Sequence, residues 1–250
     1  FDDEFHGVGG PLTVSDCRNV DPLLEAWVEA AVEAGHQRNE DFNGAEQEGV
    51  GVYQVTQRDG RRWSSPHAFL DPLPANVDLI HSALALGLVF EGERCVGVEV
   101  DRLGERQTIR CERELVLSAG AYQSPHLLLL SGIGPADQLR AAGIEVRLDL
   151  PGVGENLMDH AGSFLALPAA DGYEHAADAP DWTEVGGFLP SGPGLEAPDL
   201  QFHAAIGLNF DEGLGPSART GVSFGPYVGR PDSRGWVRLR TSEPYPKPRI

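Results

Sequence analysis

The residue pair whose types most directly suggest acid–base chemistry is Asp159 and His160, at the end of the segment 155–160. Adjacent residues on an extended chain point to opposite faces, so Asp159 is poorly placed to orient His160 as a base. We therefore predict a structural role, in which Asn156 and Asp159 bond backbone groups of a buried loop. Five further histidines show no metal-ligand spacing, and a metal centre is not predicted: His67, His81, His126, His175 and His203.

Three glycine-rich turns begin the G-x-G-x-x-G pattern that holds a dinucleotide pyrophosphate at a helix N-terminus. They start at Gly7, Gly132 and Gly152, and each lacks the third glycine at the required position. The sequence therefore contains no complete phosphate-binding turn of this type.

Composition limits the possible partners of the chain. Its 250 residues have a formal net charge of −19, and 41% of them are hydrophobic. That apolar content is sufficient for the core of one large domain or two small ones. The negative charge would repel nucleic acid and anionic membrane surfaces, so neither is an expected partner.

The cysteines and the apolar runs limit the cellular compartment. Cys17, Cys95 and Cys111 are odd in number and lie outside any C-x-x-C spacing, so neither a disulfide framework nor a zinc site is predicted. The longest aliphatic run, Leu127 to Leu130, falls far short of the roughly 20 residues that cross a bilayer. We predict no membrane span, and we expect a cytoplasmic location.

The first predicted elements are a helix and a β region. Asp21 can cap the helix, Pro22 fits its first position, and Gly35 ends it. From Asn76 to Val100 the alternation of valines predicts a hairpin or a meander, with a turn at 91–93.

The middle of the chain alternates strands and helices. Residues 114–117 form a predicted short buried strand, and Pro125 opens a helical stretch over 126–131. A second helix is predicted from Pro135 to Ala142, followed by a strand from Ile144 to Leu150 whose apolar residues alternate with charged ones.

The last third of the chain predicts an antiparallel sheet. Its candidate strands are 201–206, 221–228 and 235–240. Residues 168–180 and 191–198 are rich in glycine, proline and small residues, which predicts surface loops.

Several of these segments resemble the glucose-methanol-choline (GMC) oxidoreductases, flavoenzymes that transfer a hydride from an alcohol carbon to FAD. The strongest likeness is the block from Ser118 to Gly134, which is followed by the turn from Pro151 to His160. Shorter segments extend it along nearly the whole chain: H-G-V-G-G-P-L from His6, D-F-N-G from Asp41, G-R-R-W-S from Gly60 and S-R-G-W-V from Ser233.

The resemblance implies an α/β with α+β fold, made of part of a FAD-binding Rossmann-like domain and a substrate domain with an antiparallel sheet. Residues 76–160 are expected to form the FAD-binding segment. Residues 1–75 are expected to form a substrate-domain and connecting segment, and residues 161–250 the antiparallel sheet of the substrate domain. FAD is the implied cofactor, and a small-molecule alcohol is the implied substrate.

The resemblance also assigns roles to five residues. The family contacts the FAD adenine through the backbone of a residue that corresponds to Ala85, and a backbone contact tolerates alanine there. Ser118, Ala119 and Gly120 correspond to the place where the family's backbone approaches the cofactor, which a residue without a Cβ permits. Glu184 corresponds to a glutamate that choline-oxidising members place against the substrate's ammonium group. A glutamate bonding local backbone is the alternative.

The family's pyrophosphate turn and catalytic histidine correspond to no segment of this sequence, so no catalytic residue is expected within it. We expect the chain to be the central part of such an enzyme and, alone, neither to retain FAD nor to oxidise alcohols. Two alternatives stay open. In the first alternative, the chain is one subunit of a split enzyme that partner chains complete. In the second, it is a non-catalytic binding protein with the same fold.

Overall fold

The computed structural model describes residues 4–174, 183–207 and 220–250, with the backbone alone at 183 and 184. The chain divides into two compact units. The first unit comprises Phe1–Val77 and His160–Pro231, and the second unit comprises Asp78–Asp159 and Asp232–Ile250. The assignment of residues 1–75, 76–160 and 161–250 to domains of a whole enzyme stays a prediction.

The described residues contain four α-helices and sixteen β-strands. The helices are α1 (Pro22–Glu33), α2 (Ser65–Phe69), α3 (Gly120–Leu130) and α4 (Ala136–Ala141). The strands are β1 (Ser15–Asp16), β2 (Gly49–Val52), β3 (Gln54–Val55), β4 (Gln57–Arg58), β5 (Arg61–Arg62), β6 (Ala83–Glu91), β7 (Arg94–Arg102), β8 (Glu105–Arg110), β9 (Ile133–Gly134), β10 (Leu148–Asp149), β11 (Glu155–Leu157), β12 (Leu165–Pro168), β13 (Thr183–Leu189), β14 (Leu200–Ile206), β15 (Gly221–Val228) and β16 (Gly235–Trp236).

The first unit is built on a five-stranded antiparallel sheet in the order β12–β15–β14–β13–β2. Strands β14 and β15 confirm the predictions at 201–206 and 221–228. Helix α1 begins at the predicted cap, where Asp21 Oδ1 accepts the N–H of Leu23 at 2.9 Å. Leu24 and Val28 of α1 are buried against one face of the sheet, so the fold of this unit is a helix packed on a sheet.

The second unit contains an antiparallel meander of β6, β7 and β8, which confirms the predicted meander and its turn at 91–93. The predicted β structure between Asn76 and Ser82 is wrong. The ladder begins at Ala83, opposite Arg102, the last residue of β7. Ser82 has a φ of 56°, which is incompatible with an extended strand.

Helix α3 of the second unit begins earlier than the sequence predicts. It starts at Gly120 and contains Pro125, whereas the prediction opened the helix at Pro125. Pro125 is the sixth residue of α3, so its missing N–H leaves out one intrahelical hydrogen bond, to the carbonyl of Ala121. Helix α4 confirms the helix predicted from Pro135 to Ala142, since those two residues are its caps.

Two of the predicted strands are absent or much shorter. Residues 114–117 form no strand, and Val116 is 77% exposed. A strand needs a neighbouring backbone, and no described strand pairs with this segment. Of the strand predicted from Ile144 to Leu150, only β10 pairs, parallel to β9. The earlier part uses its apolar side chains Ile144 and Val146 to pack on the core of the second unit.

The strand predicted over 235–240 does not join the antiparallel sheet of the first unit. Only Gly235 and Trp236 form a strand, β16, which pairs with β11 in the second unit. Gly154 holds this pairing in place, because its carbonyl accepts the N–H of Val237 at 2.7 Å and the Arg238 guanidinium at 3.1 Å.

Within the part of the chain that the structure describes, no helix has the length and apolar character needed to cross a bilayer. In the same residues, no three His, Cys, Asp or Glu side chains are grouped as metal ligands. Cys17, Cys95 and Cys111 form no disulfide with one another.

Candidate functional site

The structure places Gly120 at the first position of α3 with a φ of +80°, a conformation that side chains with a Cβ rarely adopt. No atom lies within 4 Å of the place that a Cβ would occupy there. The space in front of Gly120 is therefore open, and a group that approaches it meets the backbone directly. The N–H groups of the first helical turn face the same end of α3 and favour a negatively charged group.

Ser118 and Ala119 precede this turn, and both are exposed. The N–H of Ala119 donates to Ser124 Oγ at 3.0 Å, which fixes the loop against the helix start. Their backbone is therefore held in one conformation at an accessible surface. This agrees with what a backbone contact to a cofactor requires, although the contact itself stays a prediction.

Ala85 lies on β6, which is the edge strand of its sheet. It is paired with Val100 on one side, and the register shifts just after it, before Gly87. An edge strand leaves backbone N–H and C=O groups without ladder partners on its free side. The strand that carries Ala85 thus offers the kind of groups that an adenine contact would use.

The C-terminal end of helix α3, opposite the end that carries Gly120, is linked to strand β6. Ser131, directly after α3, accepts the N–H of Leu88 of β6 through its hydroxyl at 2.9 Å. The helix that starts at Gly120 is therefore anchored on the strand that carries Ala85. All of these residues belong to the second unit.

The segment 155–160 differs from its prediction. Asn156 and Asp159 are exposed, so the loop is not buried among the described residues. Asn156 has a φ of 60°, which asparagine tolerates better than most residues. Asp159 Oδ2 accepts the hydroxyl of Tyr122 of α3 at 3.2 Å, and the negative charge of Asp159 raises the pKa of Tyr122. The segment is thereby linked to the same end of α3 as Gly120.

A buried histidine in α3 should make the stability of the second unit depend on pH. His126 is 3% exposed, and burial lowers the pKa of its imidazole. The unfolded chain takes up this proton near pH 6.5, roughly the ordinary pKa, so its contribution to stability is fully present above that pH and is lost as pH falls toward the folded pKa. We expect His126→Gln to reduce the fall in the urea unfolding midpoint between about pH 7 and pH 5. The exposed His81→Gln should leave that fall unchanged, and equal slopes for the two variants would contradict the expectation.

In the first unit, aromatic side chains lie on the sheet face opposite α1. Ala204 of β14 packs toward α1, so its neighbour His203 points to the other face. The His203 ring centroid lies 5.4 Å from that of Tyr53 and 5.3 Å from that of Tyr227. Phe188 completes the group, with its ring 6.3 Å from that of Tyr53. We call these four residues the aromatic face.

Glycines in the neighbouring strands make room for the aromatic face. Gly186 and Gly225 are the direct partners of His203 in β13 and β15. A Cβ on Gly186 would collide with the Tyr53 side chain, and one on Gly225 would collide with the backbone of Ser163. Small residues at these positions let the Tyr53 ring and the neighbouring backbone at Ser163 approach the strands closely.

His203 is a candidate site residue that the sequence analysis does not identify, because no motif distinguishes it from the other histidines of the chain. Its Nδ1 is buried without a hydrogen-bond partner, and burial lowers the pKa of the ring. A buried polar atom left unpaired costs about 1–3 kcal/mol, which makes it a candidate for a functional role. The available signal was the alternation of β14, which sets His203 apart from the apolar face formed by Phe202 and Ala204.

Glu184 lies in β13 at a register shift between Thr183 and Val185, which is a β-bulge. Bulges are common beside active sites, where they change the direction of a side chain. The side chain of Glu184 lies outside the described residues, so its contact with a substrate stays a prediction. His175, one of the histidines without metal-ligand spacing, also lies outside the described residues.

Two oxidases are among the solved structures that share this fold. Pyridoxine 4-oxidase from Mesorbium loti superposes with a TM-score of 0.80 at 29% identity, over 97% of this chain and 49% of that one. A formate oxidase from Aspergillus oryzae, in a variant made to study FAD modification, shares the fold with a TM-score of 0.82 at 23% identity, over 98% of this chain and 52% of that one. These similarities show the fold that the chain shares with both oxidases.

The sequence profile of the GMC oxidoreductases matches residues 1–162, and the chain belongs to this family. The oxygen-dependent choline dehydrogenase of Brucella anthropi is 38% identical over an alignment of 272 positions, which covers 98% of this chain and 49% of that protein. The mitochondrial choline dehydrogenase of Homo sapiens is 37% identical over an alignment of 271 positions, which covers 98% of this chain and 45% of that protein. The chain thus spans about half the length of these relatives.

Proposed function

We propose that the chain is the central part of a FAD-dependent oxidoreductase that oxidises an alcohol carbon. The observation that carries the proposal is the 37–38% identity to choline dehydrogenases over 98% of the chain. FAD, when bound, accepts the hydride from the alcohol. The residues of this chain would hold the cofactor and shape the substrate side of the site.

The second unit would supply the cofactor contacts. The open space at Gly120 and the N–H groups at the start of α3 fit a negatively charged cofactor that approaches the backbone closely. The edge strand β6 would supply backbone groups at Ala85 for the adenine. Ser118 and Ala119 would line the same approach through their backbone.

The aromatic face of the first unit would line the substrate-binding site. Rings attract a cation through their faces, and the net charge of −19 favours a cationic ligand over an anionic one. A choline-like substrate, a primary alcohol with a quaternary ammonium group, fits both properties. Glu184 would add a carboxylate from β13.

The proposal is tested by an absorption spectrum of the purified 250-residue chain, and by turnover measured in the enzyme that contains it. We expect the chain alone to lack flavin, and the enzyme to reduce a dye acceptor with choline faster than with pyridoxine or benzyl alcohol. Bound flavin together with a co-purifying polypeptide would instead favour a split enzyme. A flavin-free enzyme that oxidises none of these alcohols would leave a non-catalytic binding protein and overturn the proposal.

Substitution of His203 should separate substrate binding from folding. We expect His203→Asn to lower kcat/KM for choline by about tenfold or more, equivalent to ~1.4 kcal/mol. The reason is that the shorter asparagine side chain replaces the imidazole ring of the aromatic face. FAD content and the unfolding midpoint should stay close to those of the wild type. His67→Asn, at an exposed position in the same unit, is the matched control. Unchanged kcat/KM in His203→Asn would remove His203 from the substrate site.

A further inference from the structure

Two arginines face each other across the β4–β5 hairpin of the first unit. Arg58 is the direct partner of Arg61, and the turn between them consists of Asp59 and Gly60, both with positive φ. Directly opposite residues of an antiparallel pair point to the same face, with Cβ atoms about 5 Å apart. Like charges at this separation destabilise the hairpin, so a negative group bound between them would stabilise it.

A third guanidinium lies at the turn of this hairpin. A Cβ on Gly60 would lie 4.0 Å from Arg18 Nη1. Arg18, Arg58 and Arg61 are all exposed, so solvent and solutes can reach them. Three positive charges are therefore grouped at one end of the hairpin.

The two opposed arginines are not neutralised by the described part of the chain. Among those residues, Arg58 and Arg61 form no ion pair with a carboxylate. Acidic residues outnumber basic ones by 38 to 19, so a carboxylate partner is easily found in this sequence. Arg38 of the same unit pairs with both Glu29 and Glu40, at 2.7 and 2.8 Å. The hairpin arginines therefore keep donors available for an anion from outside the chain.

An aromatic stack holds the Arg58 side chain in position. Its Cζ lies 4.9 Å from the centroid of the Trp63 ring. Trp63 Nε1 donates to the carbonyl of Pro11 at 2.8 Å, and the His67 ring is stacked with the Trp63 ring at 5.5 Å. A guanidinium that lies over a ring keeps the N–H groups at its edge free to donate. Arg58 therefore loses less side-chain freedom when it binds an anion.

We propose that Arg58 and Arg61 bind a phosphate group, with Arg18 as a third positive charge. A carboxylate has two oxygens in one plane and matches a single guanidinium. A phosphate has oxygens in several directions and one or two negative charges, so it can accept from two guanidinium groups that face each other. The net charge of −19 does not prevent binding, because charges more than about 8 Å away are largely screened at physiological salt.

Phosphate binding by the enzyme that contains this chain tests the proposal, with the line width of the phosphorus NMR signal as the measurement. At an ionic strength held constant with chloride, we expect inorganic phosphate to bind with a Kd of about 1 mM or lower, and acetate not to displace it. Arg58→Gln and Arg61→Gln should each raise that Kd by about tenfold or more, because each loses charge-assisted hydrogen bonds. Arg230→Gln, at an exposed position of the same unit, is the matched control and should leave the Kd unchanged. Circular dichroism of each variant checks that the fold is retained.

Two outcomes would overturn the proposal. The same Kd for Arg61→Gln and Arg230→Gln would mean that phosphate binds elsewhere in the enzyme. Displacement of phosphate by acetate at equal ionic strength would mean that the arginines attract any anion and form no phosphate site.

Two further measurements distinguish the sources of the phosphate. Co-sedimentation with vesicles of phosphatidylglycerol and phosphatidylcholine that is lost in Arg61→Gln would assign the site to a lipid headgroup. Displacement of inorganic phosphate by glycerol phosphate, without co-sedimentation, would assign it to a soluble phosphomonoester. None of these readouts depends on turnover, so phosphate binding by an enzyme that oxidises no alcohol would leave this inference standing while the proposed function failed.

Discussion

Gly120→Ala should lower the affinity of the enzyme for FAD by at least about tenfold, or ~1.4 kcal/mol. The added methyl group would occupy the open space in front of α3, where the cofactor is proposed to approach the backbone. The φ of +80° adds a second effect, because alanine favours a different conformation and would shift the N–H groups of the first turn. The measurement is a flavin titration of the apoenzyme, followed by the change in flavin fluorescence.

A matched control separates the cofactor effect from backbone strain. Gly143, directly after the cap of α4, has a φ of +74° and likewise no atom within 4 Å of the position of a Cβ. Both Gly→Ala variants should lose about 1–2 kcal/mol of folding free energy from the left-handed conformation. Only Gly120→Ala should lose FAD. If Gly143→Ala loses as much, the effect of Gly120→Ala is a general loss of stability, and its cofactor role is wrong.

The elements that the sequence predicted well are those with local signals and a partner within the described chain. Helix α1 has its cap at Asp21 and its apolar positions at Leu24 and Val28, and the sheet that it covers is present. Strands β14 and β15 show alternation and pair with each other. In these cases, local propensity and tertiary packing favour the same structure.

The errors arise where the structure depends on a neighbour that a local pattern cannot show. The apolar run at 114–117 is typical of a buried strand, yet a strand exists only through pairing, and the described residues supply no partner. Proline is common at a helix start, which favours a start at Pro125. Helix α3 instead begins at Gly120 and includes Pro125 with the loss of one intrahelical hydrogen bond. Strand β6 begins only at Ala83, because its partner strand β7 ends at Arg102, the residue opposite Ala83.

The candidate site divides in the same way. Gly120 could be predicted because a long motif surrounds it. The structure gives it a positive φ and open surroundings, and its contact with FAD stays a prediction. His203 could not be predicted, because a single histidine in an alternating strand has no distinguishing pattern. Its environment is made by Tyr53 and Tyr227, which are distant from it in sequence, and only the folded sheet brings these rings together.

Gly225→Ala should destabilise the first unit by about 2–3 kcal/mol, the largest stability effect that we expect. Gly225 lies in β15 opposite His203, and on its other side the backbone of Ser163 and Phe164 runs alongside β15, where the N–H of Ser163 donates to the carbonyl of Pro226. A Cβ on Gly225 would lie 2.8 Å from the carbonyl carbon of Ser163 and 3.0 Å from the Cα of Phe164. Both atoms are backbone, so the clash cannot be relieved by turning a side chain.

The sign of the effect makes this a sharp test. Glycine in a strand is normally less stable than alanine by about 0.5–1 kcal/mol, so without the close approach the substitution would stabilise the protein. The matched control is Gly192→Ala, in the loop that follows β13, where no atom lies within 4 Å of a Cβ. Urea unfolding of both variants gives the comparison. A Gly225→Ala protein as stable as the wild type would show that the backbone at Ser163 does not approach Gly225 this closely, and the arrangement of the aromatic face beside His203 would have to be revised with it.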